Sequence, residues 1–106
     1  MLLDKLRLIV GSQYVFEEES NLAPYIDEPR GYFDSRANAV VFPATTKEVV
    51  AIVKACVKVG VSIIPQGGNT GLCGGAVSQP GQVIVNLRRM NRVISVDPIN
   101  DTIIVE

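Results

Sequence analysis

The chain has 106 residues, 47% of them hydrophobic and 20% charged, which suits one domain, or part of one, with a core of modest size. A net charge of −1 and a pI near 5.4 argue against the basic face that nucleic-acid binding requires, and no apolar run approaches the roughly 20 residues of a membrane-spanning helix. There is no histidine, and Cys56 and Cys73 match no metal-ligand spacing, so a zinc site is excluded.

Leu2, Leu3, Leu6, Ile9 and Val10 recur at helical spacing, and Gly11 is a credible stop. Asp4, Lys5 and Arg7 put charge inside this stretch, which makes it a poor signal peptide; the expected location is the cytoplasm. Residues 12–38 are polar, aromatic and proline-bearing, and predict an extended arm with turns. Within it Glu17, Glu18 and Glu19 predict a solvated turn, and Tyr25, Asp27 and Arg30 a polar-aromatic cluster that packs the arm on the domain.

Residues 39–42 predict a short strand ended by Pro43. Thr45 and Glu48 offer a capping box for a helix beginning near Thr46. Its apolar face is Val49, Ile52, Val53, Cys56 and Val57, with Gly60 placed as a C-cap glycine. The apolar run 61–64 predicts a buried strand, giving a β-α-β unit that favours a parallel pair. Strands are also expected near 83–86, 92–96 and 102–105, joined by short turns and antiparallel. Pro80-Gly81, Asp97-Pro98 and Asn100-Asp101 supply the turn chemistry. Arg88, Arg89 and Arg92 predict a solvated turn between strands. The fold class is therefore α/β, or α+β in detail. A mean hydropathy of +0.26 has two accounts: buried Val and Ile strands, or an apolar face covered by further chain or by self-association.

The most informative segment is Pro65-Gln66-Gly67-Gly68-Asn69-Thr70-Gly71-Leu72-Cys73-Gly74-Gly75-Ala76, which holds five of the nine glycines. Without Cβ atoms a main chain can take positive φ and approach a ligand closely, and successive N–H groups can form a concave anion site. A phosphate or pyrophosphate is the guest such a loop suits. A P-loop is excluded because no Lys follows Lys58. A Rossmann loop is excluded because no helical period follows Gly75. Cys73 is expected to be a small apolar filler and Cys56 a core residue.

This string resembles the pyrophosphate loop of the vanillyl-alcohol-oxidase-type flavoproteins, and within them that of the D-2-hydroxyacid dehydrogenases, a group that takes in the flavoprotein of glycolate oxidase, D-lactate dehydrogenase and D-2-hydroxyglutarate dehydrogenase. The segments 21–27, Arg30-Gly31, 39–43, 83–93 and 97–106 resemble the same family. The resemblance implies that residues 1–106 are the N-terminal portion of an FAD-binding domain, with a helix and arm over 1–38 and the pyrophosphate-side α/β subdomain over 39–106. It implies FAD contact by Pro65, Gln66, Gly67, Gly68, Asn69, Thr70, Gly71, Leu72, Gly74 and Gly75. Covalent members often carry His directly after the glycine pair, where this chain has Asn69, so the implied attachment is noncovalent.

The resembled enzymes pass a hydride from the substrate's α-carbon to the flavin. Their bases and metal ligands lie in a later substrate domain, so no catalytic residue is assigned here. The chain stops at Glu106, where the family sequence runs on; alone it is expected to be inactive, with a small 2-hydroxyacid bound only by the complete protein. Two other readings stay open: a stand-alone nucleotide-binding module, and a structural subunit without catalysis.

Overall fold

The computed structural model describes residues 1–27, 36–71 and 73–106. Arg30 and Gly31 of the arm, and Leu72 of the loop, lie outside the described residues.

Helix α1 spans Leu2–Val10 and ends at Gly11, whose φ of 96° few other residues adopt and whose N–H donates to Arg7 O. On its solvent side Arg7 pairs with Asp4 and with Glu17. A 3₁₀ turn, Ser12–Tyr14, leads into the two-residue strand β1, Val15–Phe16. Helix α2 is Glu19–Ile26, strand β2 is Ala39–Val41 and helix α3 is Thr46–Lys58. The predicted cap of α3 is present: Glu48 N–H donates to Thr45 Oγ1 at 3.1 Å, and the Glu48 carboxylate accepts from Ala44 N–H. Gly60 has φ 72°, the left-handed conformation of a helix-ending glycine. Strand β3 is Ile63–Gln66, β4 is Val83–Asn86, β5 is Val93–Asp97 and β6 is Thr102–Val105.

The first four strands form one sheet in the order β1-β2-β4-β3. β4 runs parallel to both β2 and β3, in the registers Val40↔Ile84 and Ile64↔Ile84. β1 adds antiparallel to β2. Alternate residues point to opposite faces, and both faces are covered. Val41, Val83 and Val85 face Leu6, Val10, Ile52 and Cys56 of α1 and α3. Val40, Ile84 and Phe42 face the other way, against Leu22, Phe16 and Tyr25. Phe42 meets Phe16 and Tyr25 edge-on, with ring centroids 5.1 Å apart in each case.

Four expectations change. The arm is not all extended, because α2 forms within it, with Pro24 inside the helix. The ring of Pro24 costs one helical hydrogen bond. Burying Leu22, and partly Tyr25 and Ile26, on the sheet offsets that. The expected β-α-β pair is split, because β4 lies between β2 and β3, and β4 joins this sheet in parallel. The antiparallel expectation holds for β5 and β6, which form a separate two-stranded sheet. Strand β3 begins and ends two residues later than 61–64, so Pro65 and Gln66 belong to the strand.

Candidate functional site

Strand β3 delivers the chain into the glycine segment at the same end of the sheet where β4 runs out at Asn86. The parallel register puts Gln66 beside Asn86. Both are buried, at 2% and 4% exposure, although both carry polar amides. Burial of this kind is tolerated only with hydrogen bonds. Asn86 Nδ2 donates to Gln66 Oε1 at 2.8 Å and more weakly to Gly67 O at 3.4 Å. Asn86 Oδ1 accepts Arg88 N–H at 3.0 Å, and Gln66 Nε2 donates to Tyr25 O at 2.6 Å. Farther along the loop, Asn69 takes φ 58° and its Nδ2 donates to Asp27 O at 2.7 Å. Asn tolerates this left-handed conformation better than most side chains.

The main chain of the loop is differently engaged. Among the described residues, the N–H groups of Gly67, Gly68, Asn69, Thr70 and Gly71 make no backbone hydrogen bond. These residues do not continue as a helix after β3. Of the two expected uses of the glycines, positive φ and close approach, the first is met only at Gly74 among the described glycines of this segment. Gly67, Gly68, Gly71 and Gly75 do not lie in the left-handed region; in this segment that region is taken by Asn69 and Gly74, the latter at φ 84°. A Cβ added at Gly67, Gly71 or Gly75 meets nothing within 4 Å, and at Gly68 only Thr70 Cγ2 at 3.9 Å. The fold itself therefore does not demand glycine at these four positions. They keep the outer surface of the loop bare, and the exposed Thr70 stands beside it.

No charged side chain occurs between Pro65 and Ala76, so the polarity available there is that of N–H groups, amides and one hydroxyl. The nearby cations are engaged. Arg88 lies over Phe42, 4.2 Å from the ring centroid, and bonds the Tyr25 hydroxyl. Arg89 stacks on Tyr14 and donates to Phe42 O at 2.7 Å. These contacts replace the expected solvated turn, and Arg92 alone of the three follows it, pairing with Glu106 at the hairpin end. Tyr25 and Asp27 do anchor the arm, as expected. Cys73 is exposed rather than a filler. Cys56 is core, and its burial pushes the thiol pKa up. Among the described residues, no three His, Cys, Asp or Glu side chains gather as a metal site would require. The sequence reading missed Asn86, which closes the apolar strand β4 with a buried amide.

The profile of the FAD binding domain family matches residues 37–106, which takes in the glycine segment and every strand from β2 onward. D-2-hydroxyglutarate dehydrogenase, mitochondrial, from Arabidopsis thaliana is 32% identical over 92% of this chain and 18% of its own length. D-lactate dehydrogenase from Anaerostipes hadrus is 33% identical over 93% of this chain and 21% of its own. The crystal structure of p-cresol methylhydroxylase with substrate bound superposes with a TM-score of 0.80 at 31% identity, over 92% of this chain and 20% of that one. The chain thus spans about a fifth of the length of the relatives it matches. Its fold is that of the vanillyl-alcohol-oxidase-type flavoproteins, its cofactor is FAD, and the chain belongs to the FAD binding domain family.

Proposed function

We propose that Pro65 to Gly71, with Leu72, Gly74 and Gly75, hold the pyrophosphate of noncovalently bound FAD, in a protein that oxidises a D-2-hydroxyacid. The observation that carries this reading is the row of N–H groups from Gly67 to Gly71, which make no backbone hydrogen bond among the described residues, with Gly67, Gly68 and Gly71 leaving its outer side free of side chains. Those residues fit a phosphate: N–H donors to an anion form the stronger class of hydrogen bond, and glycine lets the anion come close. The Thr70 hydroxyl adds a further donor. The absence of histidine, with Asn69 after the glycine pair, supports noncovalent attachment. FAD, when bound, supplies the acceptor for the substrate's hydride; the residues of this chain bind and orient its phosphates. No residue of the chain is assigned to proton transfer.

The substrate class rests on the names of the relatives, which are dehydrogenases of D-2-hydroxyglutarate and D-lactate. A glycolate-type hydroxyacid falls in the same class. Because the chain spans about a fifth of those relatives, we assign it the phosphate side of the FAD domain and expect no turnover from it alone. Self-association is proposed at its exposed apolar strands. Among the described residues no helix is long and apolar enough to cross a membrane; the cytoplasm is the proposed location, although several relatives are named as mitochondrial.

Titrating isotope-labelled chain with FAD, and separately with ADP, tests the reading. The amide signals of Gly67–Gly71 are expected to shift, with FAD bound more tightly than ADP. Gly68→Val should abolish the shifts while the rest of the spectrum stays native, because a Cβ at Gly68 disturbs nothing in the fold. Losing two N–H bonds to a charged acceptor, at roughly 1.5–3 kcal/mol each, is a loss of about tenfold or more per bond. Loop signals that ignore FAD, or respond equally to it in Gly68→Val, would sink the phosphate assignment. Equal affinity for FAD and ADP would instead favour a general nucleotide-binding module.

A further inference from the structure

The side chains around the loop form a directed relay rather than a set of separate bonds. At one end the Arg88 backbone N–H can only donate, so Asn86 must present its oxygen there and its nitrogen toward β3. That nitrogen donates to Gln66, which must then present its oxygen to Asn86 and its own nitrogen to the far side. At the other end Tyr25 O can only accept. Backbone groups at both ends thus fix the orientation of both amides, which geometry alone leaves ambiguous.

The accepting end is the last turn of α2. Carbonyls at a helix C-terminus lack intrahelical partners. Here two carbonyls at that end find them on the loop: Tyr25 O takes Gln66, and Asp27 O takes Asn69. The donors lie on either side of the Gly67-Gly68 pair. The arm therefore grips the glycine pair from both flanks, while Asn86 supports Gln66 and the Gly67 carbonyl from beneath. The arm lies outside the matched family segment 37–106, so this coupling joins the loop to a part of the chain the family profile does not include.

We propose that Asn86, Gln66 and Asn69 are positioning residues, through which the arm helix α2 sets the direction of the N–H row at Gly67–Gly71. The proposal rests on the reading of that row as the FAD pyrophosphate site. On it, the side chains of Gln66 and Asn69 serve the cofactor indirectly, by facing the arm and leaving the main chain to face the anion. Preorganised donors lose much of their value when the groups behind them loosen.

The test compares FAD affinity with fold stability in Asn86→Ala, Gln66→Met, their double variant and Asn69→Gly, all in the full 106-residue chain. Asn69→Gly keeps the left-handed backbone available and removes only the tether. At a temperature where each variant retains the native amide spectrum outside the loop, FAD should bind about tenfold more weakly, the lower end of what supporting hydrogen bonds behind a bound group contribute. The double variant should bind no worse than the weaker single, because both cut one relay. A merely structural role predicts lower stability with unchanged affinity, and additive losses; either result overturns the proposal. If Asn86→Ala fails to fold, Asn69→Gly decides alone, and unchanged FAD affinity in it refutes the arm's grip. Wild-type loop signals that respond to FAD while all variants bind normally would remove the relay and leave the phosphate site standing. A wild-type loop that ignores FAD removes both.

Discussion

Strands β4 and β6 have nearly the same composition and opposite fates. β4 is Val83-Ile84-Val85-Asn86 and is buried throughout, whereas β6 is Thr102-Ile103-Ile104-Val105 and is exposed throughout. Ile84 is 0% exposed, and Ile103 is 58% exposed. β-branched residues favour the extended backbone in both places. What differs is the neighbourhood. β4 has a parallel partner on each side and helices over both faces, while among the described residues β6 pairs with β5 alone. The β5–β6 hairpin is held by its ends and its turn. Arg92 N–H donates to the Glu106 carboxylate at 2.9 Å, Glu106 N–H donates to Arg92 O, and the Asp97 carboxylate accepts three bonds from Ile99 and Asn100. Strand propensity is thus a local property, and burial is conferred by distant parts of the chain.

The contrast is tested most severely by truncation. Ile84→Ala should cost roughly 2–5 kcal/mol, because a fully buried branched side chain leaves a cavity between two covered faces. Ile103→Thr should change stability by less than about 0.5 kcal/mol while lowering concentration-dependent association. Urea unfolding measures the first, and sedimentation at rising concentration the second. Comparable destabilisation by the two would mean that the hairpin is packed in solution as it is not here. A smaller effect should appear in amide exchange. The N–H groups of β2 and β4 are expected to exchange only on global unfolding, and those of β5 and β6 through local opening, although all lie in ladders. Equal protection would erase the distinction.

The smallest effect concerns pH. Bonds from the Asn100 side chain, then from the Asn100 and Ile99 backbone, hold the Asp97 carboxyl below its ordinary value. A carboxyl lowered in this way supports its turn above the ordinary carboxylate pKa, and the support fades as pH falls through the lowered value. The amide signals of Ile99 and Asn100 should therefore move only at strongly acidic pH, and Asp97→Asn should abolish that movement. The carboxyl belongs to the separate β5–β6 hairpin, so the signals of β4 should not follow it.

What the sequence discloses tracks the range of the interactions involved. The cap Thr45–Glu48, the buried Ile52 and Cys56 of α3, and Gly60 are local and legible; Val53 and Val57, expected on the same apolar face, are exposed instead. The glycine segment is legible as an anion loop, because its chemistry is contiguous. Helix α2 is not, since Pro24 signals a break and only the sheet beneath makes the helix worthwhile. The place of β4 is hidden because strand pairing is non-local, and Pro80-Gly81 reads as a turn before antiparallel strands. Pro65 reads as a strand terminator, yet among the described residues β3 lies at the sheet's edge, where a missing N–H is tolerated. Of the site, the bare glycine surface is foreseeable, but which residues take the left-handed backbone is not: in this segment it falls on Asn69 and Gly74. Asn86 stands out only as a lone amide closing an apolar strand, and its partners Gln66 and Arg88 come together only in the fold.

The position of Pro65 matters for another reason. An edge strand offers free main-chain groups to any extended peptide, and sheets that grow that way end in aggregates. β3 meets such a peptide with proline at its third residue and bare glycine immediately after its fourth. The other outer strand, β1, has only two residues to offer. The four-stranded sheet is thereby closed to unwanted company at both margins, in a chain whose hairpin already exposes isoleucine and valine to its neighbours.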